Sequence, residues 1–253
     1  MSLRVIRRSV ALAFVLVSSI FRFWLMRLLG PLSPEQRARW VQQTCIRVLR
    51  SIDIRCEVEG PIPKHGLIVS NHLSYIDILI ISAAMPCFFV AKAEIDEWPY
   101  FGRAARVGGT IFIDRSSLAS AEQVSAIIAD RLKLPIPVLF FPEGTSTDGT
   151  MLRFHSRLFQ PAIEAGIPIT AASIRYVMED GTPERELCWF GDDAFAPHLL
   201  KTLQSPGFQA RLRFGKPRVY PHRRVAADKT YEEIAVMRDG AKQVEEVESL
   251  QPA

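Results

Sequence analysis

The chain has 253 residues, 48% of them apolar and 23% charged, which suits one large α/β domain or two small ones and excludes a disordered or low-complexity chain. Four scattered cysteines, Cys45, Cys56, Cys87 and Cys188, form no C-x-x-C pair, which argues against a zinc cluster or a disulfide scaffold and fits a reducing compartment. The net charge of +4 hides an asymmetry: residues 1–50 hold nine arginines, no lysine and a single acid, Glu35, for +8, and the remainder carries −4.

That basic first fifth is also densely apolar. Basic and apolar together point to a membrane lipid surface as partner. A nucleic-acid partner is not expected, because no helix-turn-helix, RNP or zinc-finger pattern accompanies the charge. The uncharged run Ser9–Phe21 has thirteen residues. As a helix it is about 20 Å long, against a hydrocarbon core of about 30 Å. The expectation is therefore a helix lying in, or dipping into, one leaflet rather than a full span. No A-x-A-like site follows the run, so a cleaved signal peptide is not expected.

Gly30-Pro31-Leu32-Ser33-Pro34 breaks this helix. A second starts at once: Ser33 is the N-cap, Pro34 occupies the first helical position and Gln36 completes an S-x-x-Q capping box. Val41, Cys45, Val48, Leu49 and Ile52 then fall at helical spacing. Residues 1–52 read as a membrane-associating helix pair.

From Ile54 onward short apolar runs alternate with helical stretches. Strands are expected at 54–59, 66–70, 87–91, 110–113, 137–141, 167–174, 187–190 and 209–219. Helices are expected near 75–84, 97–105, 117–133, 156–165, 195–203 and 229–247. This alternation predicts an α/β domain at 53–253 with a mixed, largely parallel sheet flanked by helices.

Residues 71–77 read NHLSYID. A spacing of five is off by roughly 140° on a helix, so His72 and Asp77 can meet only if His72 sits in the turn before a helix and Asp77 in its early turns. Asn71 and Ser74 are N-cap types that allow such a start. Taken alone, this spacing is read more readily as a cap and a helix-start charge than as a reactive pair. Three further blocks lie at strand ends or starts: Gly109–Arg115, which runs into Asp114-Arg115; Phe141-Pro-Glu-Gly-Thr-Ser-Thr147, a Pro-Gly turn rich in hydroxyls; and Ala165-Gly-Ile-Pro-Ile-Thr170. Ligands of open α/β sheets collect at the carboxyl edge of the strands, where His72, Asp77, Arg115, Glu143, Gly144 and Thr145 are candidates to converge.

These four blocks, in this order, resemble those of the glycerolipid acyltransferases, the family of bacterial 1-acylglycerol-3-phosphate acyltransferases. The segment Ala91-Lys-Ala-Glu-Ile95, with Pro99 and Gly102, is also similar to the family's lysine-containing stretch. The resemblance covers about residues 54–220. It implies transfer of a fatty acyl group from a thioester, acyl-CoA or acyl carrier protein as co-substrate, to a lysophospholipid acceptor, 1-acylglycerol 3-phosphate, with no metal or other cofactor. It implies a domain docked on one leaflet, at the inner membrane with the active site on the cytoplasmic side. Neutral His72 suits a general base. Asp77 would orient its ring and stabilise the imidazolium. Arg115 and Lys92 would hold a phosphate, the first bidentately and the second as a point charge. Backbone N–H groups at Gly144-Thr145 would form an anion nest, and Glu143 would orient an arginine or a substrate hydroxyl. Ser70 and Ser74 read as structural, and His65, His155, His198 and His222 as structural or solvated. The acidic residues Asp180, Glu184, Glu186, Asp192 and Asp193 read as a solvated loop. Phe88, Phe89 and the N-terminal helices are candidates to line an acyl groove. The alternatives are acylation of another lysolipid such as lyso-ornithine lipid, a hydrolase using Ser74 or Ser146, and a non-catalytic lipid-binding protein.

Overall fold

The computed structural model describes residues 2–98, 101–114 and 118–249. Helix α1 spans Leu3–Leu28, started by Ser2, whose hydroxyl accepts from the Val5 amide. It therefore runs well beyond the uncharged stretch on both sides, because its arginines find partners. Arg8 is only 1% exposed. Its guanidinium donates to the Asp53 carboxylate at 3.0 Å and to the carbonyls of Leu203, Ser205 and Pro206 at 3.0, 2.6 and 3.2 Å. The opposite face presents Leu3, Ile6, Val10, Phe14, Val17, Phe21, Trp24 and Leu28, all exposed. Their steps of three and four residues make one apolar stripe. The helix is long and apolar enough to cross a membrane, and 11% of its apolar window is buried against the protein.

Helix α2, Pro34–Ser51, carries the expected capping box: the Gln36 amide donates to Ser33 Oγ at 3.2 Å, and the Ser33 amide to Gln36 Oε1 at 2.8 Å. The indole of Trp40 donates to the Ser19 carbonyl and Arg47 to the Ser18 hydroxyl. The two helices thus lie along one another.

Seven strands follow: β1 Ile54–Glu59, β2 Leu67–Ser70, β3 Phe88–Lys92, β4 Ile111–Ile113, β5 Val138–Phe140, β6 Ile169–Val177 and β7 Phe208–Phe214. They form one sheet in the order β1-β7-β6-β2-β5-β3-β4. Every neighbouring pair is parallel except β6 with β7, as a mixed, mostly parallel sheet requires. The remaining helices are α3 Ile76–Ala84, α4 Phe101–Gly108, α5 Leu118–Leu132, α6 Gln160–Glu164, α7 Phe195–Gln204 and α8 Arg223–Ser249.

The two-residue period of the strands divides the core. Ile68, Leu139, Ala172 and Ile174 face one side, packed with Leu49 and Ile52, with Ile76, Ile80 and Ile81 of α3 and with Leu203 of α7. Leu67, Val69, Val138 and Phe140 face the other, against Val124 and Ile128 of α5, Ala162 of α6 and Ala226 and Ile234 of α8. Burial on both faces is why these strands read as unbroken apolar runs.

Some expected elements differ. Residues 187–190 are not a strand. Glu184–Leu187 closes a 3-10 turn, and the Trp189 amide donates to the Leu73 carbonyl instead of joining the sheet. A short apolar run reads equally as a strand or as buried loop. The last strand stops at Phe214, where Pro217 approaches with no N–H to give; beyond it the Gly215 amide donates to the Ala171 carbonyl and Arg218 bridges back to Ile169. The expected helix 156–165 splits into a 3-10 turn, Arg157–Phe159, and α6. The expected helix near 97–105 is preceded by a 3-10 turn, Ala93–Glu97, and α8 begins six residues earlier than expected.

Candidate active site

Strand β2 is four residues long and fully buried, and its partner β6 is nine. Beyond the Ser70–Ala172 pair β6 therefore has backbone groups on its β2 side with no strand to meet them. Asn71 meets them with its side chain. Its Oδ1 accepts from the Ile174 amide at 2.8 Å, and its Nδ2 donates to the Ile174 carbonyl at 3.0 Å. So Asn71 is not the helix cap that its type suggests; it extends the ladder by one side chain and pins the turn that holds His72.

Helix α3 starts at Ile76 with no side-chain bond from its N-cap residue, Tyr75. Asp77, in its first turn and fully buried, reaches back over the turn. Its Oδ2 accepts from the Leu73 and Ser74 amides at 2.6 and 3.0 Å and lies 2.8 Å from His72 Nδ1. The amides fix the carboxylate, and the carboxylate fixes the ring. Ser74 is buried as well, its hydroxyl accepting from the Ile76 amide at 3.3 Å.

The loop after β5 grips His72 from the other side. Glu143 accepts from the His72 amide at 3.0 Å and from the Leu152 amide at 3.1 Å. Both oxygens are thus engaged by backbone, in place of the arginine or substrate hydroxyl expected for it. Burial pushes its carboxyl up to about 7, against the lowering effect of those two amides. Thr147 donates to the His72 carbonyl from its amide at 2.9 Å and from its hydroxyl at 3.3 Å. The Phe141 ring stacks on the imidazole, 3.9 Å between centroids and 8° from parallel. His72 is held by amide, carbonyl, ring face and Nδ1. Nε2 has no hydrogen-bond partner among the described residues, and the side chain is 16% exposed. Such a group can take a proton from a bound hydroxyl while its other nitrogen stays paired with a carboxylate.

The other candidates are less converged. Lys92, at the end of β3, is exposed on the same carboxyl edge two strands from β2. Gly144 takes φ 80, and its amide donates to the Phe141 carbonyl at 3.1 Å, so that donor closes the turn instead of facing an anion. Thr145 is exposed beside it. Arg115 and Pro99 lie outside the described residues. Phe88 is fully buried in the core with Ala38 and Ile136, and Phe89 packs behind Phe141. His198 bonds to the Tyr75 hydroxyl and the Leu187 carbonyl, and burial lowers its affinity for a proton.

Sequence reasoning missed a second tier behind the motif. The Tyr176 hydroxyl donates to Asp77 Oδ1. Glu184, read as solvated, accepts from the Tyr176 amide at 2.8 Å and from Arg238 Nη2 at 2.6 Å. Arg238 of α8, 5% exposed, also donates to the carbonyls of Ile174 and Gly149. Gly149 is at φ 103, and a Cβ there would stand 3.0 Å from Glu184 Oε2. Long sequence separation hid the Tyr176–Asp77 and Arg238–Glu184 pairs. Tyr176, just after the apolar run of the strand, was the available signal.

A family model described as Acyltransferase matches residues 53–175. A lyso-ornithine lipid O-acyltransferase of Rhodobacter capsulatus is 34% identical over 214 residues, covering 79% of this chain and 76% of that protein. The chain belongs to the acyltransferase family. A second relative in this family, a 1-acyl-sn-glycerol-3-phosphate acyltransferase of Neisseria meningitidis, is 39% identical over 152 residues. That match covers 58% of this acyltransferase-family chain, which spans 60% of the length of the Neisseria protein. The crystal structure of a 1-acyl-sn-glycerophosphate acyltransferase from Thermotoga maritima superposes with a TM-score of 0.63 at 19% identity, over 97% of this chain and all of that one. It shares the fold, including the two N-terminal helices.

Proposed function

We propose that this chain is a membrane-associated O-acyltransferase that moves a fatty acyl group from acyl-CoA or acyl carrier protein to the free hydroxyl of 1-acylglycerol 3-phosphate, giving phosphatidic acid. The observation that carries the reading is the 2.8 Å contact of His72 Nδ1 with buried Asp77, with Nε2 left for substrate. Nε2 takes the proton of the acceptor hydroxyl as its oxygen attacks the thioester carbonyl. The imidazolium so formed is stabilised by Asp77. Collapse of the tetrahedral intermediate breaks the carbon–sulfur bond, and the departing thiolate takes the proton from the imidazolium, which restores neutral His72. The nucleophile is the acceptor's own hydroxyl, so no protein serine is needed.

Lys92 and Arg115 are assigned to the acceptor phosphate, Arg115 on the strength of its place in the motif alone. Glu143 and Gly144 build the loop that carries Thr145 and clamps His72. The helix pair at 1–52 is assigned to membrane docking, with the apolar stripe of α1 laid into one leaflet. Arg8 supports this mode over a free transverse span, because it ties the N-terminal third of α1 to the domain at 53–253. The working location is the cytoplasmic face of the inner membrane, where acyl thioesters are supplied.

A second reading keeps the chemistry and changes the acceptor to a lyso-ornithine lipid. It is favoured by one observation: relatives that match over the longer share of this chain carry that name. The deciding experiment is thiol release from an acyl thioester by the full chain in lipid vesicles, with no acceptor, with 1-acylglycerol 3-phosphate, or with lyso-ornithine lipid. Release that needs 1-acylglycerol 3-phosphate and falls roughly 10²–10⁴-fold in His72→Ala is expected. Release that needs lyso-ornithine lipid selects the second reading. Release without acceptor selects a hydrolase.

A further inference from the structure

Asp77 is fully buried, and its two oxygens have different company. Oδ2 receives the Leu73 and Ser74 amides and faces His72. Oδ1 receives one donor among the described residues, the hydroxyl of Tyr176, ninety-nine positions away on β6. We propose that Tyr176 is a positioning residue for the acyl transfer, its hydroxyl holding the Asp77 carboxylate and setting how much of that negative charge reaches the His72 imidazole. The proposal rests on His72 acting as the base.

Tyr176 is itself held in place. Its amide donates to Glu184 at 2.8 Å, and its ring packs on Phe208 with centroids 4.7 Å apart. Burial and the charge of Asp77 keep its hydroxyl protonated far above neutral pH, so it is a permanent donor. A phenylalanine would fill the same space, so the hydroxyl carries the argument. A base must be neutral before it can accept a proton. A buried carboxylate with one oxygen unbonded would favour the imidazolium more strongly and hold the ring protonated to higher pH. The donor on Oδ1 withdraws part of that charge while the carboxylate stays aligned. The other titratable groups nearby come from three elements. Glu184 and Cys188 face Tyr176 from the segment before α7, Glu143 faces Asp77 from the loop after β5, and Arg238 of α8 is paired with Glu184. None of them donates to Oδ1.

The test is Tyr176→Phe in the full chain, beside His72→Ala and the packing control Phe208→Leu. Two readouts are taken: the pH profile of kcat/KM, and the titration of the His72 ring nitrogens by NMR. In Tyr176→Phe the acid limb and the ring titration midpoint should both move up by about 0.5–1 pH unit. kcat should fall about tenfold with KM altered less than about twofold. Phe208→Leu should leave both midpoints in place. A midpoint in Tyr176→Phe that stays with the wild type overturns the proposal, whatever the rates do. Full activity in His72→Ala would instead remove the base reading, and the NMR midpoint would still decide whether Tyr176 tunes the ring. If Tyr176→Phe does not fold, the wild type decides. A slowly exchanging Tyr176 hydroxyl proton is expected in its spectrum, and rapid exchange of that proton overturns the proposal.

Discussion

The side chain of Asn71 and the backbone of Ile174 are joined by two hydrogen bonds, at 2.8 and 3.0 Å, across 103 positions of sequence. Strand β2 has ended one residue earlier, so this amide takes over the ladder where the backbone leaves it. One group of the pair donates and the other accepts, and the Asn71 amide answers both with a single planar group. Asn71→Leu should therefore cost about 1–3 kcal/mol, since the Ile174 amide is left buried without an acceptor while its carbonyl keeps only the Arg238 donor. Asn71→Asp should be as destabilised at pH 8 and recover part of the loss near pH 5, where a protonated carboxyl can again donate to the Ile174 carbonyl. Urea unfolding at the two pH values checks both. A pH-independent deficit in Asn71→Asp would refute the account.

Glu143 gives a second pH signature. Its carboxyl binds a proton more tightly in the folded chain, at about 7, than at the ordinary 4.5 of an exposed glutamate. The sign follows directly: the stabilising contribution of the protonated form is fully present below 4.5 and is lost as pH rises through 7. The span amounts to roughly 3 kcal/mol. Denaturant midpoints of the wild type should fall across this window, and in Glu143→Gln the fall should be shallower by that amount. Equal slopes would mean that Glu143 does not titrate there.

The apolar stripe of α1 makes a third prediction. Phe14 and Phe21 are each 69% exposed and contribute to no buried core cluster. The double variant Phe14→Glu, Phe21→Glu should keep the wild-type unfolding midpoint and lose most of its sedimentation with anionic vesicles, because two charges on the apolar face oppose insertion. Vesicle binding at the wild-type level would place the membrane contact on another surface.

Much of this molecule is legible in its sequence because local signals agree with the final fold. Ser33, Pro34 and Gln36 announce the start of α2, and the apolar runs at 67–70 and 138–140 announce strands buried on both faces. In NHLSYID geometry says how His72 can meet Asp77, through a turn followed by a helix start, and the resemblance of the four blocks is what marks the pair as reactive. The supporting tier is another matter. Tyr176 reaches Asp77 across 99 positions and Arg238 reaches Glu184 across 54, and no local period encodes such distances. Glu184 looked solvated because it sits among exposed acids, and its arginine lies on the last helix. Gly144 misled in another way. Its place in a hydroxyl-rich turn suggested an anion nest, and its amide closes the turn itself.

Strand β6 binds the motif at alternate residues: Ala172 pairs with Ser70, Ile174 with Asn71, and Tyr176 reaches Asp77. All three sit on one phase of the pleat, so the strand acts as a ruler whose marks fall every second residue. A single inserted or deleted residue between 172 and 176 would leave the hydrophobic content of the strand almost unchanged. It would also turn the tyrosine to the far face, against α8, and offer Asn71 the wrong edge. Point substitutions in β6 can be absorbed by repacking, but a change of length by one cannot. Among descendants of this chain, the number of residues between Asn71's partner and Tyr176 should therefore be held more strictly than the identity of the apolar residues around them.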